Sequence, residues 1–497
     1  MKAAILSLTA ILVLVSGRLG LAADLPMGPI QSPLNNLPEL GSTANAMVGK
    51  QEEYQVGRMI VKNLRDDNQI LEDPEVTEYI QSIGSRIASQ AQDGNQNFQF
   101  FVVRDPQVNA FALPGGFIGI NSGLYTLTTS ESQLGSVLAH EAAHVSQRHI
   151  ARAVQAQSRQ SLSTMAAVLG AILIGAAAGG DAAGGLIAIA QGTAMQQQIN
   201  FTRMEESEAD RVGIAYLAAA GYDPGAMPEF FSTMGRIDSL GNKDIPELLL
   251  SHPVTTLRIA ETRARAAQIG QVKHSDTLGY SLIRERIRVV AYPDTDQRPY
   301  YERMRANGDN SLAVRYGSAL ADLKAGQNER AVGELRELLA RNPNITLLHA
   351  ALGQAQMAAG DNDAALATFA RANSLFPRNV PIGVRYGEAL IKADKPQKAH
   401  QLLLDLFNNV TPTPEQINLT ALAASAAGET GDAYYYMSEY HIASGALGLA
   451  TQQLELALAA PKLTPVQRKR FQARLEEIRG YLREQRRPRT QQANSGG

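Results

Sequence analysis

The chain has 497 residues, of which 44% are hydrophobic and 19% charged, and it contains no cysteine. This composition is typical of a globular protein of more than one domain, and it excludes disulfide bonds, thiolate metal ligands and a cysteine nucleophile. The net charge of −2 gives no electrostatic reason to expect nucleic acid or an anionic membrane surface as a partner.

The first 23 residues predict a secretory signal peptide. Lys2 precedes an apolar run at residues 3–15, and small residues follow up to Ala22 and Ala23, where we expect cleavage. An uncleaved anchor is disfavoured because the run is shorter than the roughly 18–20 residues of a membrane span. We therefore expect an exported protein in the periplasm of a Gram-negative bacterium.

Residues 24–50 are rich in proline and predict an extended leader. The elements expected next are a helix over about 52–64, a helix capped by Asp73 with Pro74 in its first position, a strand at 98–103, and two short strands within 108–124. The edge of this strand pair is suited to pairing with an extended peptide, and an internal hairpin explains the pattern equally well.

The pattern His-Glu-x-x-His follows this strand pair. His140 and His144 are four residues apart, so on a helix their imidazoles lie about 40° apart and one turn along the axis. Ser130 and Gln133 predict a capping box at the start of that helix. The pattern is typical of zinc peptidases, with two imidazoles as ligands and Glu141 placed to take a proton from water. Ordinary amphipathic helices also carry it, so a third ligand is needed to decide.

Residues 164–190 are rich in alanine, glycine and isoleucine. Their unbroken apolar run of about 14 residues is shorter than a membrane span. We expect a helical hairpin over the active site, either buried or in peripheral contact with a membrane.

A later helix-forming segment supplies the third candidate ligand. Glu206 and Asp210 are four residues apart on one face, and Gly213 leaves a gap there for another helix. Glu205 and Glu208 lie about 140° and 160° from Asp210, and they fit a solvated helix start better. We therefore choose Glu206 as the third ligand. Asp210 is then placed to accept a hydrogen bond from a ligating imidazole or to act at the reaction centre.

These paired motifs, together with the segment at 112–117, resemble the glutamate-zincin family of metallopeptidases over about residues 45–265. The resemblance implies one zinc ion per chain, held by His140, His144 and Glu206. It also implies Glu141 as the general base and an assisting role for Asp210.

His252 and His149 are two further histidines outside the His-Glu-x-x-His pattern. The segment Leu-Leu-Ser-His252-Pro-Val resembles one that carries a regulatory histidine in periplasmic members of the family, which implies that His252 can take the fourth zinc position. From the residues alone, His-Pro in a loop predicts only a turn. His149 lies about 140° around the helix from His144, so we expect it at the surface or, at most, behind a ligand.

The C-terminal part has a period of 34 residues. Small residues recur in the first helix of each unit and large apolar residues in the second, at Ala319, Gly353 and Gly387 and at Leu335, Phe369 and Leu403. This pattern predicts tetratricopeptide repeats over 309–484, after a helical linker at 271–308 and before a disordered tail at 485–497. We expect their concave surface to bind protein segments, with pure scaffolding as the alternative.

The sequence thus predicts an α+β, mostly helical zincin peptidase domain with a small β-sheet at 51–270, followed by an all-α tetratricopeptide superhelix. The resemblance implies a periplasmic zinc endopeptidase with a chaperone-like role. It would degrade misfolded or stalled outer-membrane β-barrel proteins, with the β-barrel assembly machinery as its partner. Two alternatives remain: an assembly chaperone or scaffold whose zinc site is silenced by His252, and a zinc hydrolase of peptidoglycan peptides, against which the repeats argue.

Overall fold

The computed structural model describes residues 49–91, 97–156, 203–239 and 246–485. Several predicted segments lie outside the described residues, namely the signal peptide, the leader up to residue 48, the hairpin at 164–190 and the tail after residue 485. Among the helices that are described, none combines the length and the apolar character that crossing a membrane requires.

Two helices open the described chain, α1 (Lys50–Asp66) and α2 (Pro74–Ala88). The side chain of Asp73 accepts a hydrogen bond from the Val76 amide, and Pro74 takes the first helical position, as predicted. At Gly84 a Cβ atom would lie 2.3 Å from the Phe100 ring, so α2 packs directly on the sheet.

The sheet has three strands, β1 (Gln99–Val103), β2 (Ala110–Leu113) and β3 (Phe117–Asn121). Their order is β1-β3-β2, with β1 parallel and β2 antiparallel to β3. The turn between β2 and β3 contains Gly115 and Gly116, whose φ angles of 80° and 93° favour glycine. The predicted hairpin is present, and β2 is an edge strand among the strands that the structure describes.

The rest of the peptidase region is helical: α3 (Ser122–Leu127), α4 (Glu131–Ser146), α5 (His149–Ala156), α6 (Arg203–Ala219), α7 (Ala226–Ser239), α8 (Glu247–Ser251) and α9 (Thr256–Ile269). Helix α4 is the central element, because every residue from Glu131 to Val145 is buried. It packs against the sheet and against α2, α6 and α7. A helix buried on all sides can hold polar groups only where they find partners, which sets the conditions for the histidine pair.

The predicted capping box at the start of α4 is only half formed. Ser130 accepts a hydrogen bond from the Gln133 amide, as expected. The Gln133 side chain accepts from the amide of Thr129 at 3.0 Å, one residue before the predicted donor.

The linking helices α10 (Leu278–Val290) and α11 (Arg298–Ala306) lead into the repeats. The repeat helices are α12 (Leu312–Lys324), α13 (Asn328–Arg341), α14 (Thr346–Ala358), α15 (Asn362–Leu375), α16 (Val380–Lys392), α17 (Pro396–Phe407), α18 (Pro414–Ala426), α19 (Thr430–Ala443), α20 (Leu447–Ala459) and α21 (Pro465–Gln485). A Cβ atom at Gly353 would lie 2.3 Å from the Phe369 ring, so the small position of one helix faces the large position of the next.

The linking helix α10 and the repeats contact the peptidase through a buried group of four charges. Arg286 of α10 binds both oxygens of Asp73 at 2.7 Å. Arg385 of α16 binds Glu75 at 2.7 Å and Asp73 at 3.0 Å. Two positive and two negative side chains compensate one another here, which is the condition under which buried ions are tolerated.

A second contact joins α1 to the later repeats. Arg58 donates to the Ile442 carbonyl at 2.8 Å, and Arg65 lies between the carboxylates of Glu72 and Glu415. Burial and the nearby charge of Glu72 raise the pKa of Glu415 to about 7, although Arg65 opposes them. The array therefore contacts the start of the peptidase region at two separate places.

Candidate metal centre

Four metal-binding side chains converge in the core of the peptidase region. Helix α4 contributes His140 and His144, α6 contributes Glu206, and His252 follows the last residue of α8. All four are buried, and one ligand atom from each lies within 4.8 Å of the others. Residues separated by up to 112 positions are thus brought to one point.

The distances between these atoms fit a single metal ion. His140 Nε2 lies 3.0 Å from His144 Nε2 and 3.4 Å from His252 Nδ1. Glu206 Oε1 lies 2.8 Å from His252 Nδ1 and 3.4 Å from His144 Nε2. Ligands of a tetrahedral zinc ion, with bonds of about 2.0–2.1 Å, lie about 3.3–3.4 Å apart. Three imidazoles and one carboxylate are also a donor set that zinc accepts, so the residues fit the ion.

Each α4 histidine is held from behind through its other ring nitrogen. His140 Nδ1 lies 3.0 Å from Asp210 Oδ1, on the same α6 face as Glu206. His144 Nδ1 lies 2.8 Å from His149 Nδ1, and His149 Nε2 lies 3.1 Å from a Glu208 oxygen. Such contacts orient the rings and leave Nε2 of each available as a ligand atom.

The surface alternative for His149 is wrong, because the residue is fully buried behind His144. The helix angle did not apply, since α4 ends at Ser146 and Arg148 adopts a left-handed φ of 53°. Arg148 is itself anchored by an ion pair with Glu53 of α1. The chain therefore turns back at this point and places His149 behind the ligand.

Glu141 is fully buried beside the cluster. Within the described ranges neither carboxylate oxygen has a hydrogen-bond partner, and the nearest ionisable contact is His252 Nε2 at 3.7 Å. Buried polar groups are almost always hydrogen-bonded. The Glu141 carboxylate next to four metal-binding groups is therefore open to a hydrogen bond from a group other than the described side chains.

Arg258 of α9 is a member of the site that the sequence reasoning missed. Its guanidinium binds both oxygens of Asp210 at 2.7 Å and lies 2.8 Å from Glu206 Oε2. It also stacks 4.8 Å over the Phe231 ring. The residue fixes two carboxylates of α6 at once, and only its place six residues after His252 could have drawn attention to it.

The charges of the cluster shift several pKa values in the metal-free chain. Burial lowers the pKa of His140, but contacts with Asp210 and Glu206 outweigh it and raise that pKa to about 10. Burial also lowers the pKa of His144, and there it dominates. Burial raises the pKa of Glu206, but His252 and the two α4 histidines outweigh it and hold that pKa well below its usual value. A metal ion that binds these atoms therefore competes with a proton on His140.

The approach of α6 to α4 depends on Gly213. A Cβ atom there would lie 2.9 Å from the Ala139 carbonyl oxygen and 3.1 Å from the His140 Cα. The gap predicted on this face is thus filled by the backbone of α4. This contact brings Glu206 and Asp210 to the histidine pair.

Comparison with known proteins agrees with this geometry. Residues 74–266 match the model of peptidase family M48, and residues 356–423 match a tetratricopeptide-repeat model. The chain is 31% identical over 453 residues to the beta-barrel assembly-enhancing protease of Escherichia coli (strain K12), covering 90% of this chain and 91% of that protein.

Two other relatives match shorter parts. A Vibrio cholerae relative is 36% identical over 313 residues, which are 62% of this chain and 64% of that protein. A mitochondrial metalloendopeptidase of Arabidopsis thaliana is 29% identical over 157 residues, covering 32% of this chain and 29% of that protein. The family resemblance predicted from the motifs is confirmed. The chain belongs to the family of beta-barrel assembly-enhancing proteases, which are metalloendopeptidases of peptidase family M48 that carry tetratricopeptide repeats.

Proposed function

We propose that this chain is a periplasmic zinc endopeptidase that degrades misfolded or stalled outer-membrane β-barrel proteins and works with the β-barrel assembly machinery. The observation that carries the zinc chemistry is the convergence of His140, His144 and Glu206 beside Glu141, whose carboxylate has no hydrogen-bond partner among the described residues. The substrate and the partner rest on the name of the relatives, and the location also rests on the expected signal peptide. We place the peptidase domain at 51–270, the linker at 271–308 and the repeat domain at 309–484.

In the proposed mechanism the protein holds and moves protons around a bound metal. Zinc supplies Lewis-acid chemistry, which polarises a scissile carbonyl and lowers the pKa of water. Glu141 accepts the proton of the attacking water and then donates it to the leaving amine. Asp210 and Arg258 keep His140 and Glu206 oriented, since each contacts a ligand directly.

The edge of β2 is the proposed place for substrate. Among the described strands β2 pairs only with β3, and the strand packs against α4, which carries the histidine pair. The side chains of Phe111 and Ala112 are half-buried there. An extended segment of an unfolded barrel protein can add to such an edge by main-chain hydrogen bonds, and the concave face of the repeats can bind a second part of the same chain.

We further propose that His252 occupies the fourth metal position in the resting protein. Its Nδ1 atom lies among the other three ligand atoms, 2.8 Å from Glu206 Oε1 and 3.4 Å from His140 Nε2. A fourth protein ligand leaves no open position for water. The same contact favours a second candidate function, an assembly chaperone or scaffold whose zinc site stays silenced.

One assay separates the two candidates. The degradation of a urea-unfolded outer-membrane barrel protein is measured for the parent chain and for Glu141→Gln, with metal content measured by mass spectrometry. We expect one zinc per chain in both, and a rate about 10²–10⁴-fold lower in Glu141→Gln. Glu229→Gln, an exposed change on α7, is the matched control and should keep the parent rate. Equal inertness of the parent and Glu141→Gln with zinc bound would favour the scaffold.

The regulatory role of His252 has its own test. His252→Ala should keep the metal through three ligands and increase the rate of degradation, because the fourth position is then open to water. An unchanged rate with unchanged zinc content would remove His252 from the proposal.

A further inference from the structure

A second group of oxygen-bearing side chains lies at one end of the sheet. Strands β1 and β3 are parallel and β2 is antiparallel, so the last residues of β1 and β3 and the first residue of β2 lie at the same end of the sheet. Five polar side chains from this end of the sheet and from two neighbouring segments line one cavity: Gln69, Asp105, Asn109, Asn121 and Glu247. We call this set the sheet-end oxygen cluster.

The cavity has the size of one small occupant. The cavity volume is about 10 Å³, and Leu64, Val103 and Phe111 complete the lining. That space is about one water molecule or one ion.

Backbone hydrogen bonds hold the segments of the cluster in place. The Arg104 amide donates to the Gln69 carbonyl at 2.7 Å, and the Asn121 amide donates to the Asn109 carbonyl at 3.0 Å. The Leu248 amide, next to Glu247, donates to a carbonyl of the loop before β2 at 3.1 Å. The side chains therefore project from a backbone frame that is already assembled.

Two amide oxygens in this cluster lack a partner. Asn109 is only 5% exposed, and in the part of the chain that the structure describes its Oδ1 atom accepts no hydrogen bond. The Gln69 Oε1 atom is also buried and has no hydrogen-bond partner among the described residues. Buried amide oxygens are rarely left unpaired, so their presence around a cavity indicates an occupant that attracts oxygen lone pairs.

The charges of the cluster also favour a bound cation. Burial and the charge of Asp105 raise the pKa of Glu247, and a hydrogen bond with the Asn109 side chain acts against them. Two carboxylates that repel each other beside unpaired amide oxygens form a negative, oxygen-only site. Hard cations such as Ca²⁺ prefer such donors, whereas zinc prefers nitrogen and sulfur.

We propose that the sheet-end oxygen cluster binds one calcium ion through Asp105, Asn109 and Glu247, with Gln69 completing the protein ligands. The site is distinct from the histidine cluster, with which it shares no residue. Glu247 is the first residue of α8, and His252 follows the last. Bound calcium therefore ties the segment that carries His252 to the sheet.

Calcium titration of the full zinc-loaded chain by isothermal calorimetry tests the site. We expect one ion per chain with a Kd of about 10⁻⁴–10⁻³ M, the range of extracellular calcium modules. Asp105→Asn and Glu247→Gln should each weaken binding at least tenfold, while the exposed Glu229→Gln should bind as the parent does. If the cavity holds only water, the parent gives no binding heat up to about 10 mM calcium, and the proposal fails. Equal binding by Glu247→Gln also overturns it.

A folding check keeps these variants informative. Without calcium both should melt at the parent temperature or above it, because each change removes one of two repelling carboxylates. Calcium should then raise the melting temperatures of the parent and of Glu229→Gln more than those of the two cluster variants. An equal rise in both cluster variants would place the ion elsewhere.

Hydrogen exchange tests the link to the histidine segment. The amides of Leu248 and His252 donate within or next to α8, to the loop before β2 and to the Leu248 carbonyl. Calcium should slow their exchange in the parent chain and leave it unchanged in Glu247→Gln. Binding without any such protection would refute the tie between the ion and the His252 segment.

Discussion

Replacing Gly213 by alanine tests whether the close approach of α6 to α4 builds the metal centre. The new Cβ would lie 2.9 Å from the Ala139 carbonyl oxygen, whereas ordinary contacts begin near 3.4 Å, so the helices must separate by about 0.5 Å. Overpacking of this kind costs about 1–3 kcal/mol. Alanine also stabilises a helix by about 1 kcal/mol relative to glycine, so the measured loss of stability is smaller than the overpacking cost.

A matched glycine removes this ambiguity. Gly235 lies inside α7, and among the described residues a Cβ there comes within 4 Å of the Ile259 side chain alone, at 3.8 Å. Gly235→Ala therefore receives the propensity gain without the clash. The two variants should differ by about 1–3 kcal/mol, which is at least about 2 °C in melting temperature for a domain of this size. We also expect Gly213→Ala to lose zinc faster to a chelator, because α6 carries Glu206. Equal melting temperatures and equal zinc loss would refute the role given to this contact.

Two predictions concern the contacts of the peptidase with the linking helix α10 and with the repeats. Arg286→Ala leaves Asp73 with one cation instead of two in a buried site, so the free energy of unfolding in urea titrations should fall by about 3–5 kcal/mol. Arg298→Ala is the control, because the Arg298 side chain is 38% exposed and pairs with the exposed Asp296, and it should change nothing measurable. Equal effects of the two changes would contradict the compensation argument. The pKa of Glu415 is raised from 4.5 to about 7 in the folded chain, so its contribution favours folding below pH 4.5 and is lost as the pH rises to about 7. Between pH 5 and pH 8, the stability of Glu415→Gln relative to the parent should therefore rise by at most about 3 kcal/mol. Thermal melting of both proteins at the two pH values measures this difference. A variant that is more stable than the parent at pH 5 alone would contradict the sign of the pKa shift.

The local features of the fold were readable because they depend on neighbours in the chain. The cap formed by Asp73 and Pro74, the turn through Gly115 and the spacing of His140 and His144 each follow from backbone geometry over a few residues. The 34-residue period of the repeats is equally local, since each unit packs on the next. For the same reason the choice of Glu206 over Glu205 and Glu208 needed only helix angles.

The parts that escaped prediction depend on contacts between distant segments. His149 lies behind His144 because the chain reverses at Arg148, and a helix angle cannot describe a chain that has left the helix. Arg258 joins Asp210 from 48 residues away, with no periodic signal to mark it.

The spacing of a few residues was thus enough to predict a metallopeptidase site and a repeat array, because helix geometry repeats along the chain. The packed structure was required for the partners of each candidate ligand, for the burial of Glu141 and for the position of His252 inside the cluster. Those contacts join segments whose separation in the sequence carries no information about their distance in space.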